Sequence, residues 1–565
     1  MGIKIVLTAP ASSYVHCALA PWCLKSGVEK YAKNKFEISI VDLTINEAEE
    51  KAAQKIIAEA PDCVGFGCYI WNISFIQKLA KIIKQKLPSC KIAIGGPEVS
   101  EDIQDAFEKL PEADFLLRGE GEIPFAKLAD ALANNESDFN IDGVCGKDRP
   151  YAEVFSSDFF PSYPYSKEYF DKLNGRISYI ETSRGCPFSC SFCLSGKKER
   201  VKFLPMEQSQ KAILQLAGGS SQTIKFVDRT FNANIKRAKQ IISFIIDKTK
   251  EGLIPSNKCF HFEVAADLLD AETIGLFEQA PAGLFQIEAG IQSINTQTLN
   301  AIYRKTNTEK VCDALKQVIQ CNTVHVHVDL IAGLPYEDLK SFIDGFNKVF
   351  RLHPHALQLG FLKILQGSKL KEQAEEYGIH YSKTPPYQVQ YTKWLSERDV
   401  AVLTKAEHAL ELLYNRQRFV NTVIYLTEKL CKPFDLFYAL GEIILAQEKQ
   451  KQRPLSLDEL TEAVFHALIE KFPDRAMEIK NYMLLDRLSF VATSSVPHYL
   501  RDYNSKLNEL KRKINKIYPM EDKIHRAFAI IKQGEEPYIF WADYKNRHPV
   551  TKSYDVNRLP VKEIL

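Results

Sequence analysis

Twice along this chain, over roughly residues 1–145 and again over 176–370, a short apolar run is followed by an amphipathic stretch and the pair then repeats. Apolar runs of this kind fit strands buried on both faces, and parallel strands need a long crossover, usually a helix, between them. The first block reads "IKIVLT", "FEISIVDL", "CVGFGCYI", "KIAIGGP" and "DFLLRGE", with helix-like sequence between the runs. It predicts a doubly wound α/β sheet covered on both sides. The second block reads "RISYIETS", "TIKFVD", "FHFEVA", "LFQIEAG", "VHVHVDLIAG" and "LQLGFLKIL". Six such units in about 190 residues predict a barrel or partial barrel with its chemistry at the carboxyl ends of the strands.

In the first block the segments after the strands are rich in glycine, hydroxyl and aromatic residues: "APASSYVH", "YIWNIS", "GGPEVS" and "RGEGEIP". One such loop is an ordinary turn, but four on one sheet edge predict a ligand site. No Gly-x-Gly-x-x-Gly follows the first strand, which disfavours a dinucleotide site. A polar, aromatic connector, 146–175, joins the blocks, and the paired prolines of "YSKTPPYQVQYTKW" open a third region, 371–565, of mostly helical periodicity that ends on a strand-like "PYIFWADY".

The composition is ordinary, with 45% apolar and 25% charged residues and a formal net charge of +2, so a globally basic nucleic-acid binder is disfavoured. No run of about 20 apolar residues spans a bilayer, and "MGIKIVLTAP" lacks a secretory layout, so a cytoplasmic protein with no membrane partner is expected. Thirteen cysteines, scattered except for one group, do not suit a secreted disulfide framework.

That group is Cys186, Cys190 and Cys193 in "SRGCPFSCSFCLSG", directly after the first strand of the second block. Three chemistries compete for it. Structural zinc needs a fourth Cys or His, and no His lies between Cys186 and His261. A redox dithiol accounts for Cys190 and Cys193 but leaves Cys186 over. A four-iron cluster on three thiolates leaves one iron open to a substrate or cofactor.

At this point the chain resembles the radical S-adenosylmethionine (SAM) superfamily, whose cluster loop "RGCPFSCSFC" is similar to, including Phe192 before the last cysteine. The resemblance implies that Cys186, Cys190 and Cys193 bind a [4Fe-4S] cluster and that SAM chelates its fourth iron. The first block, through "GGPEVS" and "RGEGE", is similar to the flavodoxin-like cobalamin-binding domain fused ahead of the barrel in one large radical SAM class, and the last third looks like the accessory helical domain of one branch. The architecture implied is a cobalamin-binding domain over 1–145, a connector over 146–175, a partial (β/α)6 TIM-type barrel over 176–370 and a mainly α-helical domain over 371–565.

By the same resemblance SAM is met by Phe192, Asp228, Glu263, Gln292, Ser293 and Gly333, with Lys363, Gly367, Arg304 and Asp329 as further polar or strand-end candidates. Asp228 and Glu263 are read equally as helix caps or ion-pair partners. Cobalamin is expected against Ser13, Tyr14, His16, Tyr69, Trp71, Asn72, Gly96, Pro97, Glu98, Gly119, Glu120, Gly121 and Glu122. The Asp-x-His-x-x-Gly motif that ligates cobalt from below in many cobalamin domains is absent from the first block, so no lower ligand of that kind is expected, and His16, its only histidine, reads better as a hydrogen-bonding residue than as a cobalt ligand.

The expected activity is a cobalamin-dependent radical SAM methyltransferase acting on an unactivated centre. Cyclisation, rearrangement or oxidation without methyl transfer, and a non-catalytic corrinoid or iron-sulfur regulatory protein, stay open. A small molecule, a peptide or an RNA suits the sequence as substrate, with flavodoxin or ferredoxin as the one-electron donor. Tyr387, Tyr391, Trp394 and Trp541 are candidates for a substrate site, with core packing the better reading for most of them.

Overall fold

The computed structural model describes residues 3–136, 140–149, 151–195, 200–493, 496–502, 506–519, 525–533 and 536–564. The first sheet consists of β1 (Lys4–Thr8), β2 (Glu37–Ile40), β3 (Cys63–Gly67), β4 (Lys91–Gly95), β5 (Phe115–Leu117) and β6 (Val144–Gly146). Its order is β2-β1-β3-β4-β5-β6, all parallel except the β5–β6 pair. In β1, Ile5 and Leu7 enter one buried cluster and Val6 the other, so both faces of the sheet are covered by helices, as the continuous apolar runs require. Strand order reverses between β1 and β3, which opens a crevice at their carboxyl ends.

The second sheet runs β14-β13-β12-β11-β10-β7, wholly parallel. Its strands are β7 (Ser178–Ile180), β10 (Thr223–Phe226), β11 (Cys259–Glu263), β12 (Phe285–Gln292), β13 (Val324–Ala332) and β14 (Ala356–Phe361). Between β7 and β10 the short strands β8 (Ser183–Arg184) and β9 (Lys202–Phe203) pair antiparallel across the base of the cysteine loop. Burial alternates strictly along β12 and β13: Phe285, Ile287, Val326 and Val328 are buried, while Glu288, Gln292, His327 and Asp329 share the other, partly open face.

Neither edge of this sheet is left bare. At β7, Ile177 N–H donates to Val15 O at 2.9 Å, which brings the loop after β1 alongside it. At β14, the Asn415 side chain accepts from Leu357 N–H and donates to Leu357 O, both at 2.9 Å, as a neighbouring strand would. Further along the same edge, Val389 N–H donates to Leu362 O and Ile364 N–H to Tyr387 O.

Asn415 and Tyr387 belong to the C-terminal region. It begins with the hairpin β15 (His380–Tyr381) and β16 (Val389–Tyr391), followed by helices from Glu397 to Phe490, of which Glu397–Ala409 and Leu457–Lys471 start on capping boxes at Ser396 and Ser456. The helical expectation misses part of this region, because its end is an antiparallel meander of β17 (Arg526–Gln533), β18 (Glu536–Arg547) and β19 (Tyr554–Pro560). β17 ("RAFAIIKQ") and β18 each carry an apolar run of five residues, which also suits a short buried helix segment, whereas β19 ("YDVNRLP") is mostly polar and gives no strand signal. Among the described residues no helix is long and apolar enough to cross a membrane.

Candidate functional site

The cysteine loop is fixed from several sides. The β8–β9 pair closes its base, Ser191 N–H donates to Ile302 O at 3.0 Å, and Leu370 N–H donates to Ser191 O at 2.8 Å. Behind it, buried Asp228 accepts from Thr182 N–H (2.7 Å), Thr182 Oγ1 (2.6 Å) and Ser183 Oγ (2.8 Å). The carboxylate is spent on the turn from β7 into the loop and does not line the cavity, so its role is to order neighbouring donors and not to meet a SAM ammonium group. Burial raises its pKa, opposed by those same hydrogen bonds.

All three cysteines line one cavity of about 250 Å³, together with Phe192, Glu263 and Gln292 of the expected SAM set and the further candidates Arg304 and Asp329. Cys186 Sγ is 3.3 Å from Thr230 Oγ1, and Arg304 Nη1 is 3.7 Å from Cys190 Sγ. The donors fit an iron-sulfur cluster: three thiols from one braced loop face a shared space, without a fourth cysteine on it. Among the described residues no group of three His, Cys, Asp or Glu closes around a single metal ion.

The cavity wall is charged. Glu263 and Glu288 are partners in the β11–β12 register, with Lys225 Nζ 3.9 Å from the first and 3.3 Å from the second. The His261 hydrogen bond, against burial and with the charge of Lys225, holds Glu288 down at about 2, so it is ionised at neutral pH. Burial and the charges of Glu288 and Glu263 push Asp329 up to about 7.

Two expected contacts turn away. Ser293 Oγ donates to Glu337 Oε1 at 2.5 Å, and a Cβ on Gly333 would lie 2.7 Å from Val389 Cγ1, so Gly333 serves packing against β16. Lys363 pairs with Gln388 and Gly367 packs on Glu101, which puts both at domain contacts outside the cavity lining. A larger hollow of about 340 Å³ beside Asn295 and Asp338 contains no cysteine, and both of these side chains already cap helices.

The carboxyl edge of the first sheet faces this loop through the "RGEGE" segment. Arg184, two residues before Cys186, is held by Glu122 Oε1 (2.5 Å), Glu181 Oε2 (2.8 Å) and Glu120 Oε2 (3.3 Å). Lys202, across the loop base, bonds Glu120 as well, and these cations with Ser157 hold Glu120 below its ordinary pKa despite desolvation by burial. The loop needs glycine at 119, because φ is +84° and a Cβ would lie 2.2 Å from Phe155 O. Gly121 lies at the start of helix Glu122–Ala133.

Other residues expected at cobalamin divide by environment. Tyr69 and Trp71 stack at 4.5 Å with Trp71 half exposed, and Tyr14, beneath the Arg176 guanidinium, is exposed like Pro97. Ser13 accepts from His16 N–H through its carbonyl, and His16 Nδ1 meets Tyr179 Oη at 2.6 Å. That bond, with a pKa lowered by burial and by Lys225, gives His16 a joint between the two sheets. Asn72 is buried and fully used: Oδ1 accepts from Tyr69 N–H, and Nδ2 donates to Pro10 O and Gly67 O. Gly96, with φ +111°, lets the chain pass Cys68 O, and Glu98 is buried against Tyr387 Oη (2.5 Å) and Lys109 Nζ (3.5 Å). Asn72 and Glu98 therefore shape the edge without facing an open site.

Sequence reasoning did not find Arg184, Lys202, Thr230 or Glu288. Glu288 was legible as the polar alternate of "FQIEAGIQ"; the others depend on partners far away in sequence, which no local pattern encodes.

Three family models match the chain: a B12 binding domain over residues 25–129, the radical SAM superfamily over 180–348, and DUF4080, a domain of unknown function, over 375–540. In order along the chain, then, a B12 binding domain match precedes a radical SAM superfamily match, and a DUF4080 match follows it. It is similar to the cobalamin-dependent radical SAM methyltransferase TokK of Streptomyces tokunonensis, 26% identical over 56% of this chain and 50% of that protein. It is also similar to the 2-(S-pantetheinyl)-carbapenam-3-carboxylate methyltransferase of Streptantibioticus cattleyicolor, 26% identical over 52% of this chain and 46% of the other. The chain spans about half the length of these curated relatives. Among solved structures, the cobalamin-dependent SAM radical enzyme OxsB with aqua-cobalamin and SAM bound superposes with a TM-score of 0.61 at 14% identity, over 90% of this chain and 83% of that one.

Proposed function

We propose that the protein is a cobalamin-dependent radical SAM methyltransferase that methylates an unactivated carbon centre. One observation carries the reading: three thiols share a cavity whose supporting loop is clamped, through Arg184 and Lys202, to the ligand edge of the B12 binding domain. Cys186, Cys190 and Cys193 would hold a [4Fe-4S] cluster, and Gln292, Glu263 and Phe192 would meet SAM beside it. Cobalamin would lie on the edge formed by Tyr14, Tyr69, Trp71, Pro97 and Gly119 to Gly121. Bound there, the cluster would supply an electron for reductive SAM cleavage and the cobalamin a transferable methyl group. The chain itself holds the two edges together and keeps the cavity wall polar through Lys225, Glu288 and Asp329. The electron donor is a flavodoxin or ferredoxin, and the compartment is the cytoplasm.

The test uses protein reconstituted anaerobically with iron, sulfide and cobalamin, then reduced with methyl-labelled SAM present. Label on the protein-bound cobalamin together with 5′-deoxyadenosine in solution is expected. Deoxyadenosine with unlabelled cobalamin would overturn methyl transfer in favour of radical chemistry without it.

A further inference from the structure

Arg229 ends the run "KFVDR" just past the carboxyl end of β10 and lines the cysteine cavity. The backbone on either side of it is pinned. Before it, Asp228 is fastened to Thr182 and Ser183. After it, Thr230 Oγ1 donates to Arg229 O at 2.8 Å, and the Asn232 side chain donates to Ala265 O at 2.8 Å and accepts from Ala265 N–H at 2.9 Å. Asp228 and Thr230 are buried, whereas Arg229 is exposed. Its stem is therefore fixed while its head is free.

Other cations about the two sheet edges are already committed: Arg184 to Glu120, Glu122 and Glu181, Lys202 to Glu120, and Lys225 to Glu263 and Glu288. Among the described residues Arg229 makes no hydrogen bond or ion pair. Its charge reaches both edges. It opposes the rise that burial gives to the pKa of Glu263 in the barrel and of Tyr69 in the loops of the first sheet. A guanidinium with a planar fork of N–H donors and no fixed counter-ion matches the paired oxygens of a carboxylate or phosphate.

We infer that Arg229 anchors the substrate, and that the substrate carries an oxyanion group, a carboxylate or a phosphate, which pairs with the guanidinium. The inference deepens the proposed function and rests on it: a molecule that loses hydrogen beside the cysteine loop and gains a methyl group from the opposite edge touches both, and Arg229 stands between them.

The test compares wild type, Arg229→Gln and Arg229→Lys as full-length protein reconstituted with iron, sulfide and cobalamin and loaded with SAM. Isotope-labelled inorganic phosphate and succinate serve as probes in equilibrium dialysis. At least one is expected to bind the wild type saturably, and the tighter of the two shows which oxyanion the site takes. In Arg229→Gln that binding is expected to weaken about tenfold, with Arg229→Lys between, while iron content, cobalamin retention and SAM affinity stay unchanged. Neither probe binding the wild type, or equal binding in Arg229→Gln, overturns the inference. A loss of SAM affinity or cobalamin retention in Arg229→Gln makes the residue a cofactor contact and overturns it too. If Arg229→Gln fails to take iron, Arg229→Lys decides: weakened probe binding supports the inference and wild-type affinity overturns it. Deoxyadenosine formation on reduction separates the two readings. A wild type that forms it without binding either probe sinks this inference alone, and one that forms none sinks the proposed function and this inference with it.

Discussion

Asp228 shows how much work a single buried carboxylate does behind the site. Its three donors, Thr182 N–H, Thr182 Oγ1 and Ser183 Oγ, lie immediately ahead of the cysteine loop. Asp228→Ala leaves them without an acceptor, and each unsatisfied buried group costs about 1–3 kcal/mol. The expected outcome is a lower urea midpoint together with reduced iron uptake on reconstitution, whereas Asp228→Asn, which keeps one acceptor oxygen, loses less of both. In the sequence Asp228 is visible as a carboxylate at a strand end, and that pattern alone suits ligand contact as well as capping. The three cysteines were legible because their spacing is local. Arg184 was not, because Glu120 and Glu122 reach it from a different domain.

At the scale of elements, the period-two alternation of β12 and β13 made the polar inner face readable, since "FQIEAGIQ" and "VHVHVDLIA" place a polar or small residue at nearly every second position. The treatment of the sheet edges was not readable. Asn415 ends a π-helical turn, Leu410–Asn415, and nothing in its neighbours announces that its amide completes β14. Asn415→Leu should therefore free both Leu357 backbone groups, with faster amide exchange at Leu357 and a loss of about 1–3 kcal/mol. A second element carries a pH signature. Asp486 is fully buried and caps helix Val420–Lys429, accepting from Asn421 N–H, Thr422 N–H and Thr422 Oγ1. Burial pushes it up to about 6 from the usual 3.8, with those hydrogen bonds opposing. The folded state then holds the proton more tightly than the unfolded one, so this contribution to stability is present below pH ~4 and is lost as pH rises toward about 6. Thermal midpoints measured across that window should fall with rising pH from this group, and Asp486→Asn should flatten the dependence.

Over the whole molecule, three segments act as one housing for the cavity. The B12 binding domain reaches the barrel through Glu120, Glu122 and His16, and it reaches the C-terminal hairpin through Glu98 and Tyr387. Tyr387→Phe removes the donor to buried Glu98, and the expected result is faster amide exchange in both the hairpin 380–391 and the segment 96–100, without change in the cysteine loop. The division into two α/β blocks and a third region was legible because each block repeats its own strand-helix pattern. The contacts between them were not: Glu98 and Tyr387 read in sequence as ligand-site candidates and Lys202 drew no reading, and no local pattern announces that each meets a partner in another segment.

The proposed function requires Cys186, Cys190 and Cys193 to act together as the ligands of a redox cluster that cleaves SAM. The most direct measurement is EPR of the dithionite-reduced, reconstituted protein, paired with quantitation of 5′-deoxyadenosine, for wild type and for the variant with all three cysteines changed to Ala. A reduced [4Fe-4S] signal that shifts on addition of SAM, with deoxyadenosine formed, is expected in wild type only. A signal or deoxyadenosine persisting in the triple variant, or neither in a wild type loaded with iron, would contradict it.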